Sequence, residues 1–241
     1  MTEVLETVQD QIMVYEPHGF VRLVDWMGDE ISICNAARVS FHKETDSNID
    51  GSLRDEDAGL LKYLLKNKHG TPFEQGFLAQ FHIRVPIFVM REWIRHRVGF
   101  SYNEESGRYV EMRPDFYIPD EARTQVGKPG AYTFERHPDR GVEEWFKGAL
   151  KYHSEKGYDL YQEALNYGIA KEQARLFLGL NLYTEFRWTC NSRSLMNFLA
   201  LRAHKEAAGE IQTYAGAIEE IFSQKMPTIH AAFEEAGRVA P

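Results

Sequence analysis

Phe77-Leu-Ala-Gln-Phe-His-Ile-Arg-Val-Pro-Ile-Phe-Val-Met-Arg-Glu-Trp-Ile-Arg-His-Arg-Val-Gly99 changes its period halfway, and that change decides the fold class. Phe77, Ala79, Phe81, Ile83 and Val85 alternate with Leu78, Gln80, His82 and Arg84, the two-residue period of a strand with one buried face. Pro86 has no N–H to continue a ladder and suits the first turn of a helix. The spacing predicts that helix over Phe88–Arg97, broken by Gly99. Arg95, His96 and Arg97 would then sit at its C-terminus, where the helix dipole favours cations.

Outward from this stretch the patterns are simpler. Gly19 to Trp26 alternates as a strand, and Leu60, Leu61, Leu64 and Leu65 predict a helix over 55–68 with Gly70 as its stop signal. Residues 118–140, rich in Pro, Gly and charge, predict a surface excursion. Helices are predicted over 142–167, 170–182, 193–205 and 207–225. One alternating segment, Tyr183 to Cys190, interrupts them with Phe186 and Trp188 on one face, and Asn191 or Ser192 would cap the helix that follows. Early strands and a helical C-terminal half predict an α+β (mixed α/β) fold: an antiparallel-rich sheet packed with helices in a single domain over residues 1–241.

Composition narrows the class. Of 241 residues, 43% are hydrophobic and 27% charged, as in a globular protein with a sizeable core. No apolar run approaches the ~20 residues of a membrane span, and the acidic start Met1-Thr-Glu-Val-Leu-Glu-Thr7 does not read as a signal peptide. Cys34 and Cys190 are isolated, so no disulfide framework is expected and the cytoplasm is the expected compartment. With 28 basic against 36 acidic residues, the net charge of −8 opposes a nucleic-acid or membrane surface. Yet residues 84–113 hold six Arg, four Glu and no Lys. Positive charge gathered locally as guanidinium suits a small anionic ligand in a pocket. The competing reading, a non-catalytic nucleotide- or RNA-binding protein, predicts binding that collapses with salt and fits the acidic balance poorly.

Four constellations carry chemistry. Arg95-His96-Arg97 is a cluster that gains stability only against an anion, and Trp93, Ile94, Phe100 and Tyr102 around it imply partial burial. A His between two guanidiniums is expected to stay neutral. In Ser106-Gly107-Arg108 a hydroxyl, an unhindered backbone N–H and a planar fork suit a phosphate, with Glu104 as a nearby acceptor. His69-Gly-Thr71-Pro-Phe-Glu74 is a loop with a capping Thr. Arg193 and Asn197 lie four apart on one helical face, with Arg202 beyond them and Arg175 in an otherwise apolar segment. No metal is expected, because His69, His82 and His96 lack ligand spacing and neither Cys has a neighbouring ligand. Gly-x-Gly-x-x-Gly, Walker and Gly-x-Ser-x-Gly patterns are also missing.

In order along the chain, Ala37-Arg-Val-Ser40, His69 with Thr71-Pro-Phe-Glu74, Arg95-His96-Arg97 followed by eight residues and Ser106, Ser101-Tyr-Asn-Glu-Glu-Ser-Gly-Arg-Tyr109, Asn181-Leu-Tyr-Thr, and Asn191-Ser-Arg-Ser-Leu-Met-Asn-Phe198 through Arg202 resemble the flavin-dependent thymidylate synthases. The resemblance implies a homotetramer with active sites shared between subunits, each binding FAD and dUMP. It implies reductive methylation of dUMP to dTMP, with methylenetetrahydrofolate as one-carbon donor, NADPH or NADH as reductant through FAD, and tetrahydrofolate released. By position it assigns Thr71, Arg95, His96, Arg97, Glu104, Asn191, Arg193 and Asn197 to FAD, with Ser40 and Glu74 at the same site. It assigns Glu92, Trp93, Ile94, Arg95, Glu104, Glu105, Ser106, Gly107, Arg108, Arg175 and Arg202 to dUMP. Arg202 is the catalytic residue, favouring the N3-deprotonated uracil. The chain departs from the pattern at Glu92, where many members have Gln, and over 119–140. The flavin-free type of thymidylate synthase uses a cysteine nucleophile, and neither Cys34 nor Cys190 has a neighbouring base to activate it.

Overall fold

The computed structural model describes residues 11–46, 48, 52–128, 131–204 and 209–241. Strands β1 (Gln11–Val14), β2 (Gly19–Gly28), β3 (Phe77–Pro86), β4 (Phe100–Glu104) and β7 (Tyr183–Asn191) form a sheet in the order β1-β2-β3-β7-β4. β1 and β2 are antiparallel, with Gln11 opposite Arg22 and Val14 opposite Gly19. A separate antiparallel hairpin joins β5 (Arg123–Lys128) and β6 (Ala131–Arg136). The helices are α1 (Glu30–Arg38), α2 (Asp55–Lys66), α3 (Thr71–Gln75), α4 (Ile87–Trp93), α5 (Arg140–Asn166), α6 (Lys171–Ala174), α7 (Ser192–Arg202), α8 (Gly209–Lys225) and α9 (Pro227–Glu235). The fold is α+β, as the patterning predicts. Among the described residues no helix is long and apolar enough to cross a membrane.

The chain forms two compact units, one of Met1–Ile83, Trp93–Asn103 and Phe186–Pro241, the other of Arg84–Glu92 and Glu104–Glu185. In the first, the inward residues of the sheet, Val21, Leu23, Phe81, Phe186 and Trp188 among them, are buried with Trp93, Phe198 and Tyr214. Trp93 stacks on Phe198 with centroids 4.9 Å apart and meets Trp188 edge-on at 5.4 Å. Such ring pairs add directional packing to the area they bury. In the second unit, Tyr161 and Ala164 of α5 pack with Met112, Ala174 and Leu182, and the Tyr161 hydroxyl accepts from the Met112 N–H at 3.1 Å.

Three local readings need correction. α4 ends at Trp93, so Arg95, His96 and Arg97 lie in the turn beyond the helix. The chain leaves the helix there because Tyr102 Oη donates to the His96 carbonyl at 2.6 Å and Gly99 turns at a φ of 76°. The helix expected over 170–182 is only α6 and one 3-10 turn, Arg175–Phe177. The carbonyls of Leu180 and Leu182 instead accept from the N–H groups of Phe88 (3.0 Å) and Ile87 (2.9 Å), satisfying the open N-terminus of α4. The excursion over 118–140 contains the exposed β5–β6 hairpin, and its Pro129 and Gly130 lie outside the described residues. Arg136 Nε and Nη2 donate to the buried Glu143 at 3.0 and 2.7 Å and tie this hairpin to the first turn of α5. Finally, the stretch read as a loop with a capping Thr71 forms the short helix α3, with Pro72 in its first turn, whereas α1, α9, β1 and β4 carry no strong pattern, each being short or irregular in polarity. The predicted helix ends at 203–205 and 207–208 fall partly on residues 205–208, outside the described ones.

Candidate active site

In the first unit, α7 gathers three of the segments that the sequence singles out. Asn191 caps it, its Oδ1 accepting from the Ser194 N–H at 2.8 Å, as expected for an Asn before a helix. Ser192 Oγ donates to the Phe73 carbonyl at 2.7 Å, which fixes α3 against the start of α7. Arg193 is ion-paired with Glu74 and lies over Gly70, where an added Cβ would come within 2.6 Å of Nε. Thr71, Glu74, Asn191 and Arg193 are therefore brought together. Asn197 is exposed one turn further along α7.

The Arg-His-Arg turn lies along the same helix. Ser194 Oγ donates to the Val98 carbonyl at 3.0 Å, and at the other end Arg202 Nε donates to His96 Nε2 at 3.0 Å. Arg95 and Arg97 are exposed, whereas His96 is half-buried. Burial, and then the Arg202 charge, push the His96 pKa down to about 4. The neutral state expected from the sequence is found, but its causes are burial and Arg202, not the adjacent guanidiniums. Ser40 is exposed in the single turn after α1 and shares no hydrogen bond with these segments among the described residues.

The second unit holds a pocket of about 130 Å³ lined by Glu104, Glu105, Gly107, Arg175, Leu178 and Thr184, among others. Gly107 is buried, and a Cβ there would meet Met112 Sδ at 3.1 Å and Arg175 Cδ at 3.3 Å, so glycine lets the loop lie close against the arginine stem. The Ser106 carbonyl accepts from the Tyr109 N–H at 2.9 Å and closes the turn that presents Ser106, Gly107 and Arg108. Glu105 is anchored through its N–H to the Glu185 carbonyl at 2.8 Å, and its carboxylate accepts from the Glu185 N–H at 3.0 Å. Burial, with the neighbouring Glu185 charge, raises the Glu105 pKa.

Two partners of the assigned residues were given no role by the sequence. Thr184 Oγ1 donates to Glu104 Oε1 at 2.8 Å, and Arg108 Nε meets Glu172 Oε2 at 3.2 Å. Thr184 belongs to the Asn181-Leu-Tyr-Thr segment, whose position in the motif order was its only signal; Glu172 had none. Glu92 is half-buried and Ile94 exposed. Trp93 is fully buried in the aromatic core, so its side chain cannot touch a nucleotide and only its backbone remains available for the contact assigned to it.

Neither thiol is activated. Cys34 and Cys190 are both buried without a disulfide. Burial, and then the Asp57 charge, push the Cys34 pKa up to about 12, and burial alone raises that of Cys190.

The Ser106–Arg108 turn beside the Arg175-lined pocket, and two buried cysteines with raised pKa values, suit an enzyme that acts on a nucleotide without a thiol nucleophile. The chain belongs to the family described as thymidylate synthase complementing protein, whose model matches residues 22–228. It is 42% identical over 215 residues to the flavin-dependent thymidylate synthase of Thermosipho africanus, covering 89% of this chain and 90% of that one. It is 43% identical to the flavin-dependent thymidylate synthase of Tropheryma whipplei over 100% of both chains. Among solved structures it is similar to the UMP/dUMP methylase PolB from Streptomyces cacaoi bound with 5-Br dUMP, with a TM-score of 0.82, 36% identity, and coverage of 95% of this chain and 100% of that one.

Proposed function

We propose that this chain is an FAD-dependent thymidylate synthase that methylates dUMP to dTMP, with methylenetetrahydrofolate as one-carbon donor and NADPH or NADH as reductant. The observation that carries the thiol-free route is the burial of Cys34 and Cys190, both with raised pKa values, beside an intact set of cationic nucleotide groups. A bound flavin would supply the hydride chemistry that side chains lack. Residues that would hold it already share one neighbourhood: Arg193 is ion-paired with Glu74, and glycine at position 70 lets the guanidinium lie against the backbone. Thr71, Arg95, His96, Arg97, Glu104, Asn191, Arg193 and Asn197 would hold FAD, with Ser40 and Glu74 near it.

Ser106, Gly107 and Arg108 bind the dUMP phosphate in this reading, and Arg175 lines the pocket beside Gly107. Backbone of 92–95, together with Glu104 and Glu105, completes the nucleotide contacts. Arg202 lies by the uracil edge and favours the N3-deprotonated ring, which raises electron density for attack on the one-carbon donor. A pocket of about 130 Å³ holds a phosphate and part of a sugar, short of the ~300 Å³ at which small-molecule sites begin. This supports completion of the site by a second copy, in a homotetramer with shared active sites. A cytoplasmic setting accords with two reduced thiols.

The test is an absorption spectrum of purified protein, which is expected to show bound flavin that bleaches with NADPH or NADH and supports dTMP formation from dUMP. A colourless protein that takes up no FAD would sink the proposal. Ser106→Ala is expected to weaken dUMP binding by about 1.5–3 kcal/mol, the range for one hydrogen bond to a charged group, and to leave FAD affinity nearly unchanged. Parallel titrations of the two ligands check it, and an equal loss for both would remove Ser106 from the phosphate.

A further inference from the structure

We propose that His96 is the positioning residue for Arg202: its ring Nε2 accepts the Arg202 Nε–H and so fixes the plane in which the guanidinium is presented. This rests on the reading of Arg202 as the group that activates the pyrimidine.

The geometry is a 3.0 Å hydrogen bond from Nε to Nε2. A guanidinium has only donors, so the bond requires a lone pair on His96 Nε2 and places the ring proton on Nδ1. A doubly protonated ring would set N–H against N–H and lose the contact. Burial and the Arg202 charge keep the ring neutral down to about pH 4, so the acceptor persists across the neutral range.

His96 is itself restrained on three sides within the same unit. Its N–H donates to the Trp93 carbonyl at 3.0 Å, and its carbonyl accepts from Tyr102 Oη at 2.6 Å. The ring sits edge-on to Phe198 at 5.0 Å and to Phe100 at 6.0 Å. Phe198 stands one turn before Arg202 on α7 and is stacked on Trp93. The titratable groups beside His96 are Arg202 from α7, at the ring, and Tyr102 from β4, whose hydroxyl meets the His96 carbonyl and whose own pKa burial raises to about 12. Packed aromatics, Phe198 fully buried and Phe100 half-buried, thus hold the histidine, and the histidine holds the last torsion of a long side chain at a helix C-terminus. An arginine has many rotamers, and a fixed Nε removes the freedom that would blur its aim. Flavin contact alone gives no reason for the Arg-His-Arg histidine to accept from a residue at the far end of α7.

Two experiments on the flavin-loaded enzyme test this. With 15N-labelled histidine, the His96 ring is expected to show a protonated Nδ1 and a bare Nε2 at neutral pH; a proton on Nε2 overturns the proposal. In the second, His96→Phe keeps the ring packing and removes the acceptor, whereas His96→Gln restores an acceptor. Measured at saturating flavin, the Phe variant is expected to lose kcat by roughly ten- to a hundredfold, the scale of one hydrogen bond to a charged group, with dUMP affinity little changed. The Gln variant is expected to recover most of that loss. Equal defects in Phe and Gln, or flavin loss in step with kcat, would show that His96 serves packing or cofactor contact instead. If the wild-type enzyme makes no dTMP, the proposed function fails, while the proton position still decides the His96–Arg202 pairing. The same spectrum decides it if the Phe variant does not fold.

Discussion

Arg202→Ala is expected to abolish dTMP formation while the protein still purifies with its flavin. Arg202 is the last residue of α7, and its helix is held by the Asn191 cap and the Ser192–Phe73 bond, neither of which involves the guanidinium. Truncation therefore leaves the cofactor segments in place. It removes the positive charge proposed to face the uracil edge as N3 loses its proton. Losing one such preorganised electrostatic partner costs on the order of a hundred- to a thousandfold in kcat. A second readout is local. The Arg202 charge is one of two causes that hold the His96 pKa near 4, so its removal moves that pKa upward, toward the ordinary value of 6.5. Turnover from dUMP, flavin absorbance and a histidine titration check the three parts. Normal dTMP formation by the variant would take the chemical role away from Arg202.

Gly99→Ala is the substitution expected to cost most in stability around this turn. Gly99 has a φ of 76°, and a Cβ there would lie 2.0 Å from Ser194 Oγ and 3.1 Å from Asn191 Nδ2. Ser194 is itself buried in the first turn of α7 and donates to the Val98 carbonyl at 3.0 Å, so it cannot swing away without leaving that carbonyl unpaired. A left-handed alanine costs about 1–2 kcal/mol and the overpacking about 1–3 kcal/mol more. The sum, roughly 2–5 kcal/mol, should appear as a lower urea midpoint with an unchanged slope. Ser194→Ala in the same chain removes the Oγ and is expected to recover part of the loss. An unaltered midpoint in the single variant would mean that the turn is not held as described.

The sequence made legible those features that depend on neighbours along the chain. The alternation of β3, the Leu spacing of α2 and the Asn191 cap are short-range signals, and each forms where it was read. So is the Ser106-Gly107-Arg108 turn, because a tight polar loop is written in consecutive residues. The order of motifs also sufficed to name the family.

Three outcomes lay outside that reach, because each depends on distances through space. Trp93, assigned to the nucleotide by its place beside Arg95, is a core ring closed in by Phe186, Trp188 and Phe198. Residues 180–182, apolar enough to continue a helix, form a turn and a single β-bridge instead, and the N–H groups of Ile87 and Phe88 take the carbonyls of Leu182 and Leu180. His96 was read as a neutral ring between two repelling arginines. The sequence by itself determined that a histidine stands between two arginines near a helix end, and that an arginine lies in a helix much later in the chain. Only the tertiary structure decided that these two side chains meet, since charge state and hydrogen bonding follow burial and separation in space, which local sequence does not encode.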